Sequence, residues 1–155
     1  MSRRNPPSGK GAPEGNKSEK ESRSISSREI YAELQTILAS EIFATSDRMK
    51  RFLRFVIEET IKGKGNNLNE YMLGVEVYDR DETFDPRVDS IVRVDAGRLR
   101  SKLREFYESK GGGGSIRIEI PKGGYKPLFK MFNLTDVGSV IRASDRQIFS
   151  LQLLP

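Results

Sequence analysis

The sequence predicts an α+β domain, a set of packed helices closed by a C-terminal β-hairpin. Three observations point to it. Apolar residues recur at helical spacing in four stretches before residue 110. Ile116-Arg117-Ile118-Glu119-Ile120 instead alternates apolar and charged side chains, the period of a half-buried strand. Pro121-Lys122-Gly123-Gly124 then makes a turn into a second short apolar run.

Taken in order, residues 1–27 are rich in Pro, Gly and Ser, and their only apolar residues are Met1, Ala12 and Ile25. Such a segment cannot offset the entropy of ordering it and reads as a disordered basic tail. The domain spans 28–129. Ser26 or Ser27 caps a first helix near 28–40, with Glu29 and Glu33 close to its start and Ile30, Leu34, Ile37 and Leu38 as its apolar face. Glu41-Ile42-Phe43 is a link. Ser46 is the expected cap of helix 47–62, whose stripe is Met49, Phe52, Leu53, Val56, Ile57 and Ile61 and whose end falls at Gly63 and Gly65. Leu68 reads as a very short strand. Asn69 caps helix 69–78, which offers Tyr71, Met72, Val75 and Val77 to the core although Gly74 weakens it. Residues 79–86 form an acidic loop. Helix 89–109 starts at Asp89 or Ser90 and stops at the glycines 111–114. Strand 116–120, turn 121–124 and strand 125–129 follow, with Pro127 marking the second strand as an edge. The structure of residues 130–155 is left open. The expected core is Phe52, Leu53, Val56, Val75, Val92, Leu99, Leu103, Ile118 and Tyr125.

Composition excludes several chemistries. The 155 residues contain no Cys and no His, which removes disulfides, thiol catalysis, the usual base near neutral pH and the commonest metal ligand. Asp79, Asp81 and Thr83 start like a calcium loop, but Phe84 stands where the turn glycine belongs and Ser90 where the bidentate glutamate belongs. Glycines 111–114 follow a helix and lack a Gly-Lys-Ser/Thr close, so they are no phosphate loop. Glu58 and Glu59 point to different helix faces. No apolar run is long enough to span a membrane, and the N-terminus has no secretory pattern. The expectation is a cytoplasmic protein without catalytic activity or cofactor.

Charge adds the positive evidence. Charged residues make up 32% of the chain and the net charge is +5, but residues 68–85 carry a net −5 and residues 87–126 a net +5. A basic block confined to one helix and the hairpin after it suggests a defined polyanion-binding face. On a wheel of about 100° per residue, Val88, Val92, Ala96, Leu99, Leu103 and Phe106 form the buried stripe of helix 89–109. Ser90, Arg93, Gly97, Arg100 and Arg104 cluster away from it, with Arg98 and Lys102 on the far flank. Gly97 costs the helix about 1 kcal/mol against Ala, so the position suits close approach by something bulky. Such a stripe is also what any solvated helix face looks like; few acidic partners at helical spacing and the basic hairpin tip at Lys122 favour a binding face. A helix of this kind lies in the major groove while a projecting hairpin, a wing, reaches the adjacent minor groove or phosphates. In that arrangement Arg93 and Arg100 read bases, and Arg98, Arg104 and Lys122 meet phosphates.

The run Arg93-Val94-Asp95-Ala96-Gly97-Arg98-Leu99-Arg100-Ser101-Lys102-Leu103, with Ile116-Arg117-Ile118 and Gly123-Gly124-Tyr125-Lys126, resembles the OmpR/PhoB-type winged-helix output domain of bacterial regulators. It is more similar still to the winged-helix segment at the N-terminus of multi-domain bacterial signalling proteins. That likeness adds Asn69-Glu70-Tyr71, Val75-Glu76-Val77-Tyr78, Phe84-Asp85-Pro86, Ile91-Val92-Arg93-Val94 and Pro121-Lys122-Gly123-Gly124-Tyr125, and it covers about residues 30–129. The glycine spacing of the turn departs from the first family, and a helix near 28–40 replaces its N-terminal sheet. The resemblance implies a winged helix-turn-helix plus an extra N-terminal helix, double-stranded DNA as partner and a role in transcription regulation. It also implies that the loop before the recognition helix, with Asp79, Asp81, Glu82 and Phe84, touches RNA polymerase or another signalling protein. An acidic solvated loop is the plainer reading of those four residues. The competing function for the whole domain is a protein-protein interaction module on the same scaffold.

Overall fold

The computed structural model describes residues 23–109 and 114–132, so the expectations for the tail before residue 23, for glycines 111–113 and for the chain beyond 132 lie outside the described residues. The architecture is α+β: four helices and one two-stranded antiparallel hairpin. Helix α1 (Ser27–Leu38) opens on a capping box, in which the Glu29 N–H donates to Ser26 Oγ at 3.3 Å and the Ser26 N–H donates to Glu29 Oε2 at 2.9 Å. The link after it is a 3-10 turn, Glu41–Phe43, that buries Phe43 completely. Helix α2 (Asp47–Ile61) starts where expected, but the Ser46 side chain makes no capping hydrogen bond. It ends at Gly63, whose φ of +81° lies in the left-handed region open to glycine. The short strand expected at Leu68 does not form; a 3-10 turn, Gly65–Asn67, precedes that residue.

Helix α3 (Glu70–Tyr78) is capped by Asn69, whose Oδ1 accepts from the Met72 N–H at 2.9 Å. Its buried face differs from the expectation. Leu73, Gly74 and Val77 are buried, Val75 and Met72 are half-buried, and Tyr71 is exposed. The cause is Gly74: the Phe84 ring of the following loop occupies the space where a Cβ would stand. That contact fixes which side of α3 faces inward. The helix stops at Asp79 in the left-handed conformation at φ 54°, unusual for a residue with a side chain. Arg51 of α2 holds it there by a bidentate pair at 2.6 and 2.7 Å.

Helix α4 (Ile91–Ser109) begins after Asp89, whose carboxylate accepts from the Ile91 N–H at 3.0 Å. Val88 therefore sits in the preceding turn and is 86% exposed, not a member of the core stripe. Val92, Ala96, Leu99, Leu103 and Phe106 are buried as expected. Strand β1 (Ile116–Glu119) pairs with β2 (Leu128–Met131), Ile116 opposite Met131 and Glu119 opposite Leu128. The second strand starts three residues later than expected and runs past residue 129. Pro127 has no N–H to give a ladder, and the carbonyls of the preceding turn are engaged elsewhere, so pairing resumes only at Leu128.

Helix α4 packs against α2, α3, β1 and the Glu41–Phe43 turn, while α1 covers β1 and α2. Phe52, Leu53, Val56, Leu99 and Ile118 are fully buried at the centre; Val75 and Tyr125, expected beside them, are only half-buried. Among the described residues no helix is long and apolar enough to cross a membrane.

One carboxyl lies on the wrong side of this packing. Glu33 of α1 is buried beside Tyr107, and a Cβ added at Gly114 would strike its carboxylate. Burial raises its pKa above the ordinary 4.5, with the Tyr107 hydroxyl opposing the rise. The folded state thus holds the proton more tightly than the unfolded chain. The cost of the ionised group is full above the folded value and disappears as pH falls from there towards 4.5. Glu33→Gln is expected to raise stability at neutral pH and to remove this gain on acidification, measured by urea unfolding across pH.

Candidate nucleic-acid interface

The outer face of α4 carries Arg93, Val94, Gly97, Arg98, Ser101 and Arg104, all exposed, with Ser90 exposed just before the helix. Within residues 90–104 the sole acidic residue is Asp95, and it is 0% exposed. Arg48 of α2 lies 2.7 Å from its Oδ2, Arg98 lies 3.0 Å from its Oδ1, and the Tyr78 hydroxyl donates to Oδ2 at 3.0 Å. Burying this carboxylate under α4 leaves the outward side of that stretch with arginines and no negative charge. Asp95 and its partners were missed in the sequence. The available signal was an aspartate on the apolar side of the wheel, between Val92 and Leu99.

The predicted binding residues separate into two groups. Arg104 and Lys122 are exposed and make no ion pair or hydrogen bond with the described residues. Ser90 and Gly97 also face outward, and a Cβ at Gly97 would meet nothing within 4 Å. The others are engaged inside the protein. Arg93 donates to Glu70 Oε2 at 2.7 Å and to the Pro86 carbonyl at 3.0 Å, bracing the start of α3 and the loop against α4. Arg98 holds Asp95. Arg100, expected to read bases, instead folds onto the hairpin turn and donates to the carbonyls of Ile120 (3.1 Å), Pro121 (3.1 Å) and Gly124 (2.9 Å). It positions the hairpin against the helix. Lys102, on the opposite flank, donates to the Ile42 carbonyl at 2.7 Å. Tyr125 lies between these groups, and burial with the Glu70 carboxylate nearby pushes its hydroxyl up to about 12.

The loop between α3 and α4 is held together mostly by its own charges. Asp79 is taken by Arg51, which keeps its carboxyl below the usual carboxylate range. Asp81 accepts from the Thr83 hydroxyl and N–H and is lowered too. Arg87 holds Asp85 at about 2, and Arg80 pairs with Asp89 at 3.0 Å. Phe84 is half-buried over Gly74 with its ring centroid 6.5 Å from that of Tyr71, so it serves packing. Of the four residues expected to contact a partner, Glu82 is exposed without a bond to any described residue. No cluster of three or more metal-ligating side chains occurs among the described residues. Comparison of the chain with protein-family models, curated proteins and solved structures finds no match.

Proposed function

We propose that the chain binds double-stranded DNA as a winged helix, with α4 in the major groove and the β1–β2 turn on the adjacent backbone or minor groove. On this reading it is a binding protein rather than an enzyme, serving transcription regulation in a bacterial cytoplasm. One observation carries it: with Asp95 buried, the face of α4 from Ser90 to Arg104 presents arginines around the small residues Gly97 and Ser101, and no acid. An α-helix about 10–12 Å across fits a major groove about 12 Å wide. Gly97 and Ser101 let the helix backbone come close. Arg93 retains unbonded donors for base edges, Val94 offers an apolar contact for a thymine methyl, and Arg98, Arg104 and Lys122 reach phosphates. Arg100 keeps the hairpin at the correct distance.

The test is a gel-shift series on random duplexes at two salt concentrations. Arg93→Ala/Arg104→Ala is compared with Arg28→Ala/Arg54→Ala, exposed arginines on α1 and α2. Loss of a base-reading arginine costs about 1–3 kcal/mol and relaxes preference at one base pair. Equal binding by the two doubles would refute the reading. The protein-interaction reading, to which the exposed Val88 beside α4 lends weight, would then lead.

Gly97→Ala separates stability from binding. Nothing inside the protein opposes a Cβ there, so the substitution is expected to stabilise the fold by about 1 kcal/mol, read by denaturant unfolding. The same methyl is expected to weaken DNA binding, because it stands where the helix meets the groove.

A further inference from the structure

Helix α4 and strand β1 leave a cleft between them of about 200 Å³, walled by Arg104, Tyr107, Arg117, Glu119, Pro121 and Lys122, with Arg100 at its edge. At roughly 30 Å³ per water it has room for a tetrahedral oxyanion and bridging solvent. Its charges do not balance. Glu119 is the single acid, and it is shared between Arg117 Nε at 3.0 Å and Lys130 Nζ at 2.6 Å. Arg100 is bonded to carbonyls but keeps its charge, and Arg104 and Lys122 have no partner among the described residues.

Arg117 is the unusual member. Its guanidinium lies over the Tyr107 ring, 5.0 Å from the centroid. The ring is fixed in turn, since the Tyr107 hydroxyl accepts from the Ile118 N–H at 2.9 Å. Arg117 Nε is buried and makes no hydrogen bond, because the nearby Glu119 oxygen lies off its N–H direction. That nitrogen is held by the charge of Glu119 alone. The terminal NH groups of this stacked guanidinium make no hydrogen bond with the described residues, and they suit fork-like recognition of a phosphate.

We propose that this cleft is a phosphate-binding site formed by Arg104, Arg117 and Lys122. The phosphate comes either from the DNA strand that separates the groove holding α4 from the groove touched by the hairpin, or from a free phosphate ion. The first source rests on the DNA reading above; the second does not.

The full chain is tested in two arms, with Arg117→Gln and Lys122→Gln each compared with wild type; Lys122 is exposed, so its variant is expected to fold. In one arm inorganic phosphate and chloride are compared at equal ionic strength by thermal unfolding. In the other, the salt dependence of duplex binding is measured. The expected result is loss of phosphate-specific stabilisation in both variants, or a salt slope flatter by about 0.9 for each lost contact. The arm that moves identifies the source. Stabilisation by phosphate that needs the cleft, in a chain that binds no duplex, keeps this proposal and removes the DNA reading. Duplex binding whose slope is flattened by Lys122→Gln but not by Arg117→Gln, with no phosphate effect, keeps the DNA reading and overturns the cleft. Neither binding nor stabilisation in wild type overturns both.

Discussion

Leu99→Ala is expected to lower the free energy of unfolding by about 2–5 kcal/mol, the range for truncating a buried leucine that leaves a cavity. Leu99 is fully buried on α4, the helix that touches α2, α3 and β1 at once, so no single neighbour can relax to fill the void. Small domains have only about 5–15 kcal/mol of stability in total, so the variant sits near the edge of folding. Urea unfolding followed by circular dichroism measures the loss. A change under 1 kcal/mol would mean that α4 is not seated as described.

Removing both cations from the buried aspartate is expected to cost a similar amount. Arg48→Ala/Arg98→Ala leaves Asp95 with the Tyr78 hydroxyl as its one remaining polar side-chain partner among the described residues, and a carboxylate stranded without counter-charge costs about 3–5 kcal/mol. The arginine heads are themselves half or more exposed, so Asp95→Asn alone is much milder: it removes the charge and keeps the shape. Adding Asp95→Asn to the double variant is therefore expected to restore most of the lost stability. Failure of that rescue would show that the arginines act through packing of their stems and not through charge.

The helices were legible because their signals are local. Ser26 with Glu29, Asn69, and the spacing from Val92 to Phe106 lie within a few residues of the features they specify. What could not be read depends on partners distant in sequence. α3 is apolar nearly all round, so periodicity does not choose between Leu73 and Val75; Phe84, ten residues past Gly74, makes that choice. The start of β2 follows from Arg100, whose bonds reach 20 to 24 residues ahead. In the binding face the residue types were visible, but not which arginines stay outward. Glu70, 23 residues before Arg93, claims that arginine only once α3 and α4 are packed, whereas the Asp95–Arg98 pair is local, three residues apart on α4, and was overlooked.

Arg100 has a consequence for how this protein tolerates change. Its three acceptors are main-chain carbonyls, which every amino acid supplies. The anchor is therefore indifferent to the side chains at 121 and 122, while Gly123 keeps a φ of +83° open to glycine. Residues 121 and 122 can be exchanged widely, altering what the hairpin tip touches, while its placement beside α4 persists. Libraries randomised at residues 121 and 122, with Gly123 kept for its φ of +83°, are expected to yield mostly folded proteins, and libraries randomised at position 100 mostly displaced hairpins.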